Sequence, residues 1–221
     1  SQALTLVRDR MGEKPLYYGW LRHGDARAFV FGSELKALRA YPGFDNPVCR
    51  EALAQYMRLM YVPAPLSIYE GIYKLEPGCL LTVDRQTLSK TDVNITRWWS
   101  LAGAVEAGAQ NPVGSDAEAV DLLEAQLGQA VQLQSLADVP LGAFLSGGVD
   151  SSTIVALMQR QATRPVKTFT IGFDEVGFDE APHALAVARH LGTDHHEMRV
   201  TAQMARDVIP TLPWMYDEPF A

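Results

Sequence analysis

Residues 145–152 read LSGGVDSS, and their side chains suit a site for a polyphosphate. The two central glycines let the backbone turn tightly and bring N–H groups close to a ligand. A helix that follows them would present unpaired N–H groups and the positive end of its dipole to an anion. Asp150 would repel a phosphate unless a divalent cation lay between them, and Mg²⁺ prefers one or two carboxylates plus phosphate oxygens. The glycines and the hydroxyl donors of this candidate Mg²⁺–polyphosphate loop are Gly147, Gly148, Ser146, Ser151 and Ser152.

Two familiar phosphate loops do not fit this stretch. A Walker loop needs GxxxxGK[ST], and no Lys follows the glycines; a dinucleotide loop needs GxGxxG, which is a different spacing. A purely structural alternative is a glycine-rich turn from strand to helix with a Ser/Asp cap. The full pattern S-G-G-x-D-S-S after an apolar strand favours the ligand site over that alternative.

The elements around the loop alternate between strand and helix. Such alternation predicts a parallel sheet with crossover helices, and ligands of these sheets bind beyond the carboxyl ends of the strands. The loop lies at such an end, and so does GFDE (172–175) after the next strand. The predicted elements are a strand over 140–145, a helix from about Ser151, a strand over 166–171, a helix over 180–191 ended by Gly192, a strand over 195–200 and a helix over 202–209.

The first hundred residues differ from this pattern and are mainly strand, which predicts an α+β part. Residues 100–115, rich in Ala, Gly and small polar residues, are the best linker candidate. Ser115 and Glu118 then form a capping-box pattern. Here the predicted elements are strands at 5–7, 15–21 and 28–32, a helix capped by Ser33, a helix over 50–60, and two strands around the Pro-Gly turn at 77–78.

Composition limits the partners. The formal net charge is −7, and no basic cluster is longer than two residues, so we expect no nucleic-acid partner. No apolar run approaches the roughly 18 residues of a membrane span, and we expect no membrane association. Cys49 and Cys79 lie far apart without a CxxC pair, which favours free thiols in a cytoplasmic protein. The N-terminus lacks a start Met and resembles mid-domain sequence, so we expect a fragment.

The loop resembles the pyrophosphate loop of the ATP pyrophosphatase (N-type, PP-loop) superfamily, the adenine-nucleotide alpha-hydrolase-like fold. RDRMGEKPLYY (8–18) and FGSELKAL (31–38) resemble the end of the Ntn-type glutaminase domain of class B asparagine synthetases. FTIGFDEVGFDEAPHALAVARHLGTDHHE (169–197) and YDEPFA (216–221) resemble the synthetase domain of that family. The resemblance implies a glutaminase part over 1–99, a linker over 100–115 and a synthetase part over 116–221.

The resemblance also implies the reaction and its residues. ATP would adenylylate the side-chain carboxylate of aspartate and release pyrophosphate, and ammonia from glutamine would then displace AMP. Asp150 would bind Mg²⁺, Leu145 and Ile171 would meet the adenine through backbone groups, and Gly172 would keep that edge open. The pyrophosphate end of ATP would be held by Ser146, Gly147, Gly148, Ser151 and Ser152.

Several expectations stay open. The family's Cys nucleophile and its downstream acidic Mg²⁺ ligand have no counterpart in this sequence, so we expect the 221 residues alone to be inactive. The alternatives are an amidotransferase acting on a sugar acid or another carboxylate, a tRNA-modifying adenylylase, and a non-catalytic ATP-binding module. A homodimer is compatible with the resemblance. The acidic residues whose roles are undecided are Asp174, Glu175, Asp179, Glu180, Asp217 and Glu218.

Overall fold

The computed structural model describes residues 2–90, 92–174 and 179–219. The chain divides into two compact units, which are described separately. The first contains residues 1–111 together with 211–221, and the second contains residues 112–210. Among the described residues, no helix combines the length and the hydropathy needed to cross a lipid bilayer.

The first unit is built on antiparallel sheets. One sheet has the order β1-β5-β6 and the other the order β3-β2-β4. The strands are β1 (Ala3–Val7), β2 (Tyr17–His23), β3 (Ala26–Gly32), β4 (Ile72–Lys74), β5 (Cys79–Asp84) and β6 (Asn94–Arg97). The helices are α1 (Leu35–Arg39), α2 (Arg50–Leu59), α3 (Arg85–Lys90) and α4 (Leu101–Gln110). The mainly-strand prediction for this part is confirmed.

Strand β2 contributes to both hydrophobic cores of this unit. Side chains alternate between the two faces of a strand. Tyr17 and Leu21 therefore pack with the buried residues of α1 and α2, whereas Tyr18 packs with Leu75 and Leu81 on the other side. Both faces of β2 are covered from Tyr17 to Leu21, so the side chains there are held firmly in place.

The predicted helix cap at Ser33 is wrong. Helix α1 is capped by Glu34, whose backbone is extended and whose side chain makes no capping hydrogen bond. The N–H of Lys36, in the first turn, donates instead to Oδ1 of Asp217 at 3.2 Å. A carboxylate from 181 residues away thus satisfies a donor that a local side chain would otherwise take.

The proposed linker carries regular structure. Residues 101–110 form α4, and the Ser100 hydroxyl accepts a hydrogen bond from the N–H of Gly103 at 3.1 Å. Its composition hid this helix, because small residues are also typical of loops. The boundaries at 99 and 116 stay predictions.

The second unit is a parallel α/β arrangement, as predicted. Its sheet has the order β7-β8-β9, and both strand pairs are parallel. Ser115 caps its first helix by accepting from the N–H of Glu118, as the capping-box pattern predicts. The elements are α5 (Asp116–Gln134), β7 (Gly142–Phe144), α6 (Val149–Gln161), β8 (Lys167–Phe173), α7 (Ala181–Leu191), β9 (Asp194–Val200) and α8 (Ala202–Val208). A 3₁₀ turn at Ile209–Thr211 ends this unit, and helix α9 (Leu212–Met215) after it belongs to the first unit.

The core of this unit lies beneath α6 and α7. Leu145, directly after β7, packs with Val155 of α6 and with Ala184 and Ala188 of α7. Gly192 ends α7 with a φ of +70°, as its predicted role requires. The core therefore fixes the two helices whose first turns lie nearest the LSGGVDSS loop.

Candidate functional site

The loop joins β7 to α6 at the carboxyl end of the parallel sheet. Leu145 is buried, and its N–H donates to the carbonyl of Phe169 on β8 at 2.8 Å. This hydrogen bond continues the pairing of Phe144 with Phe169 by one residue. The chain therefore leaves the sheet at Ser146, in the place where ligands of such sheets bind.

Gly147 is the residue that the turn constrains most. Its φ is +80°, in the left-handed region that is unfavourable for residues other than glycine. A Cβ at this position would lie 2.7 Å from Cβ of His183 and 2.8 Å from the backbone N of Ala184. The loop is thus pressed against the first turns of α7, which leaves room for backbone only.

Two serines hold the loop in shape. Oγ of Ser146 lies 2.9 Å from Oγ of Ser151. Ser146 also accepts from the N–H of Gly148 at 3.3 Å, and Ser151 accepts from the N–H of Ser146 at 3.2 Å. The hydroxyl of Ser151 donates to the carbonyl of Gly148 at 3.3 Å. These contacts pre-form the loop, so part of the donor capacity expected for phosphate is used within it.

The first turn of α6 supplies the remaining predicted groups. Gly148 is the N-cap and gives no side-chain cap, so the helix relies on other partners for its first N–H groups. Asp150 lies in that turn and is exposed. Oγ of Ser152 is buried and has no hydrogen-bond partner among the described residues. An unsatisfied buried hydroxyl is destabilising, which fits a site whose hydrogen bonding is completed by a bound group.

Ile171 and Gly172 lie on β8 beyond the end of β7. Backbone groups of a parallel strand point alternately to its two neighbours. Phe169 bonds towards β7, so the N–H and C=O of Ile171 face the same side, where β7 has already ended at Phe144. Gly172 is buried, and a Cβ there would lie 3.1 Å from Oδ1 of Asp179. The edge next to the loop therefore offers backbone groups and little side-chain bulk.

Arg199 at the end of β9 lies among the acidic residues near this edge, and no sequence pattern signalled its role. Its guanidinium lies 3.5 Å from Asp174, 3.4 Å from Asp179 and 3.0 Å from Glu197. The charge of Asp179 and then that of Glu197 raise the pKa of Arg199. Asp174 and Asp179 are thus ion-paired rather than free; Glu175 lies outside the described residues, and Glu180 precedes α7 without a capping hydrogen bond.

The two adjacent histidines of β9 make separate contacts. Nδ1 of His195 lies 2.9 Å from Oγ1 of the buried Thr168, which in turn lies 2.9 Å from Oγ1 of Thr193. The ring of His196 stacks on Phe169 at 5.3 Å between centroids. Thr168 and Phe169 occupy opposite faces of β8, so the two imidazoles also lie on opposite faces.

Metal-binding groups are sparse in the part of the chain that the structure describes. No group of three or more His, Cys, Asp or Glu residues is placed to hold an ion there. Asp150 stands near the loop as a single exposed carboxylate. A lone carboxylate does not form a protein cage, but it does suit an ion that a polyphosphate also holds.

Asp217 and Glu218 belong to the first unit and are largely buried there. Their side chains are 13% and 10% exposed. Glu218 pairs with Lys74 and accepts from the N–H of Ile68 at 2.8 Å. These contacts exclude a solvated loop for the two residues in this structure.

Comparison with known proteins identifies two domain families and several relatives of this chain. The model of a glutamine amidotransferase domain matches residues 1–99, and the model named asparagine synthase matches residues 122–221. A relative in Methanocaldococcus jannaschii, named "Putative asparagine synthetase 2 (glutamine-hydrolyzing)", is 36% identical over 217 residues, which are 96% of this chain and 39% of that protein. Glutamine-hydrolysing asparagine synthetase 1 of Bacillus subtilis is 30% identical over 215 residues, 97% of this chain and 32% of the relative.

An amidotransferase region is therefore followed by a synthase region in one chain. The chain belongs to the glutamine-hydrolysing asparagine synthase family. It spans between about a third and two fifths of the length of these curated relatives.

Proposed function

We propose that the protein carrying this sequence is an ATP-dependent, glutamine-hydrolysing asparagine synthetase. ATP would activate the side-chain carboxylate of aspartate as an acyl-adenylate with release of pyrophosphate, and ammonia from glutamine would displace AMP. The activation is chemically necessary because a carboxylate is a poor electrophile, whereas AMP is a good leaving group. Family membership supports this reaction.

The observation that carries the proposal is the geometry of the loop after β7. Gly147 at positive φ, packed on α7, brings the backbone of 146–148 to the N-terminal end of α6 with no side chain in the way. That end of a helix attracts anions through its unpaired N–H groups and its dipole. The pyrophosphate end of ATP would therefore lie against Ser146, Gly147, Gly148, Ser151 and Ser152.

The adenine end of ATP would lie at the open edge of β8. The backbone groups of Ile171 face the space beyond β7, and adenine has both donors and acceptors to meet them. The carbonyl of Leu145 would border the same space, because the N–H and C=O of a strand residue point to the same side and this N–H faces β8. Gly172, which has no side chain, would keep this edge open. These contacts would set the direction of the nucleotide, with its phosphates towards α6.

Mg²⁺ would be held by Asp150 together with phosphate oxygens. When bound, it would offset the charge that develops on the departing pyrophosphate. Asp150 is exposed and has space for an ion. The finer fold assignments, an Ntn-type glutaminase part over 1–99 and a PP-loop synthetase part from 116, form part of the same proposal.

Two measurements test it. First, the affinity of the purified chain for MgATP should fall about tenfold in Ser151→Ala, since this change removes the hydroxyl that links Ser146 to Gly148. Thr153→Ala is the matched control, because its hydroxyl lies two residues further along α6 and, among the described residues, donates to the carbonyl of Val149 rather than within the loop. Equal affinity in the two variants would contradict the loop's role.

Second, the protein carrying this sequence should exchange labelled pyrophosphate into ATP when aspartate is present. Exchange that requires another carboxylate, such as a sugar acid, would keep the chemistry and replace the substrate. MgATP binding without exchange for any carboxylate would reduce the site to a nucleotide-binding module. The net charge of −7 argues against tRNA as the acceptor.

A further inference from the structure

The segment after α9 places two adjacent carboxylates in the interior of the first unit. Tyr216 ends the helix in an extended conformation, and its N–H donates to the carbonyl of Leu212 at 2.9 Å. Asp217 and Glu218 follow, with side chains only 13% and 10% exposed. A carboxylate buried to this extent is costly unless it is paired and hydrogen-bonded.

Glu218 meets that requirement with three partners from three places. Oε1 accepts from the N–H of Ile68, in the connection before β4, at 2.8 Å. Oε2 accepts from the hydroxyl of Tyr17 on β2 at 3.3 Å and forms an ion pair with Lys74 of β4. Lys74 is itself 13% exposed and also donates to the carbonyl of Val62. Both carboxylate oxygens are therefore used, and both charges of the pair are shielded from water.

The surroundings of Glu218 are rigid. Tyr17 and Ile68 belong to the hydrophobic core of the first unit. Burial and then the charge of Glu218 raise the pKa of the Tyr17 hydroxyl, so it stays protonated as the donor. A carboxylate that binds two core residues and a largely buried ammonium has little freedom to move.

Asp217 adds a second attachment of a different kind. Its Oδ1 accepts from the N–H of Lys36 in α1 at 3.2 Å and lies 3.7 Å from the Lys36 ammonium. That ammonium is largely solvated and also approaches Glu34, so its charge contributes little. The backbone hydrogen bond matters more, because it satisfies a helix N–H that has no local cap.

The contacts of Asp217 and Glu218 join residues from two different family matches. Residues 217 and 218 lie within the asparagine synthase match, whereas all their partners lie within the amidotransferase match. We propose that Glu218 is a positioning residue, which anchors segment 212–219 of the synthase region on the amidotransferase region through Lys74, Tyr17 and Ile68. The catalytic consequence rests on the function proposed above: the anchor holds segment 212–219 in place, and we expect this placement to be needed for ammonia from glutamine to be used in asparagine formation.

The anchor is tested first by hydrogen exchange of individual amides in the full chain. Glu218→Gln keeps the size of the side chain and removes its charge, which leaves the Lys74 ammonium unpaired. We expect the amides of Lys36 and Tyr216, which donate to Asp217 and Leu212 rather than to Glu218, to exchange about 100-fold faster as the segment opens. The amide of Leu145 in the second unit should be unchanged. Lys74→Met should give the same pattern, since it removes the paired cation.

Glu106→Gln, at an exposed glutamate of α4, is the matched control and should alter none of these amides. If Glu218→Gln accelerates exchange at Ile68 alone, or nowhere, segment 212–219 is held by other contacts and the proposal is wrong.

The catalytic readout is the amount of asparagine formed per glutamine hydrolysed by the protein carrying this sequence. This ratio does not depend on the folded fraction, so a merely structural defect leaves it unchanged. We expect Glu218→Gln to lower it by about tenfold through misplacement of the segment. An unchanged ratio in an active protein overturns the positioning role. If the wild-type protein does not exchange pyrophosphate into ATP in the presence of aspartate, the proposed function is refuted instead. The hydrogen exchange of the amides still tests the anchor independently.

Discussion

Replacing Gly147 by alanine tests the geometry on which the nucleotide site depends. The new methyl group would meet two penalties at once. The residue has a φ of +80°, and the added Cβ would lie 2.7 Å from Cβ of His183 and 2.8 Å from the backbone N of Ala184. Neither contact is with the flexible end of a long side chain, so α7 or the loop has to move.

The size of the effect follows from these two costs. A left-handed conformation costs a residue other than glycine about 1–2 kcal/mol, and overpacking typically costs about 1–3 kcal/mol. Together the two costs amount to about 2–5 kcal/mol for the variant with its loop in the native position. The free variant can avoid this strain by moving the loop off α7, since residues 146–148 are partly exposed. ATP binding requires the native loop geometry, so the bound variant would carry the full strain. Because 1.4 kcal/mol is a factor of ten, we expect MgATP affinity to fall by about 30-fold or more.

The assay is calorimetric titration of MgATP into the wild-type chain, Gly147→Ala and Gly192→Ala. Gly192 is a matched control because its φ is +70° in the same unit but no atom lies within 4 Å of an added Cβ. It therefore incurs the conformational cost without the crowding and lies away from the loop. Circular dichroism establishes that each variant is folded. Wild-type affinity in folded Gly147→Ala would refute the argument.

Four further outcomes follow from the same contacts. Gly148→Ala should leave the melting temperature unchanged, since the nearest atom to its Cβ lies at 3.4 Å, yet weaken MgATP binding in titrations because the methyl group would take up space in the proposed phosphate site. Asp150→Asn should weaken ATP binding in Mg²⁺ and leave it unchanged in EDTA, as a magnesium titration would show. Thr168→Val should lower the free energy of unfolding in urea by about 1–3 kcal/mol, because it leaves Nδ1 of His195 without its partner. Burial raises the pKa of Tyr17 above 10.0. The folded state therefore holds this proton more tightly than the unfolded state, and the resulting stabilisation is fully present below pH 10.0 and decreases as the pH rises beyond it. Above pH 10.0 the melting temperature of Tyr17→Phe should therefore fall less steeply with pH than that of the wild type.

The turn from β7 to α6 was predictable from the sequence because its physics is local. Glycines, hydroxyls and a helix start within eight residues determine the turn, and the alternation of strands and helices determines where the turn lies. The positive φ of Gly147 and the parallel pairing of β7 with β8 follow from those features. The mutual hydrogen bond of Ser146 and Ser151 was less accessible, since either hydroxyl could equally have faced a ligand.

Features that depend on distant partners were missed. Ser33 has the chemistry of a helix cap, but Asp217 takes part of that role from far along the chain. The roles of Asp217 and Glu218 stayed undecided, because nothing near them in the sequence reveals Lys74 or Tyr17 as partners. Arg199 gave no signal for the same reason: its three carboxylates meet only once β8, β9 and the start of α7 are assembled.

The central claim is that residues 145–152 receive the phosphates of ATP and that the edge at 171–172 receives its adenine. Backbone amide shifts of the ¹⁵N-labelled chain, followed during titration with MgATP and with magnesium pyrophosphate, test it most directly. We predict that pyrophosphate shifts the amides of 146–152 alone, whereas MgATP also shifts those of Ile171 and Gly172. Shifts confined to residues elsewhere would contradict this claim. An example is the lining of the cavity of about 680 Å³ bordered by Gln132, Met158 and Lys167.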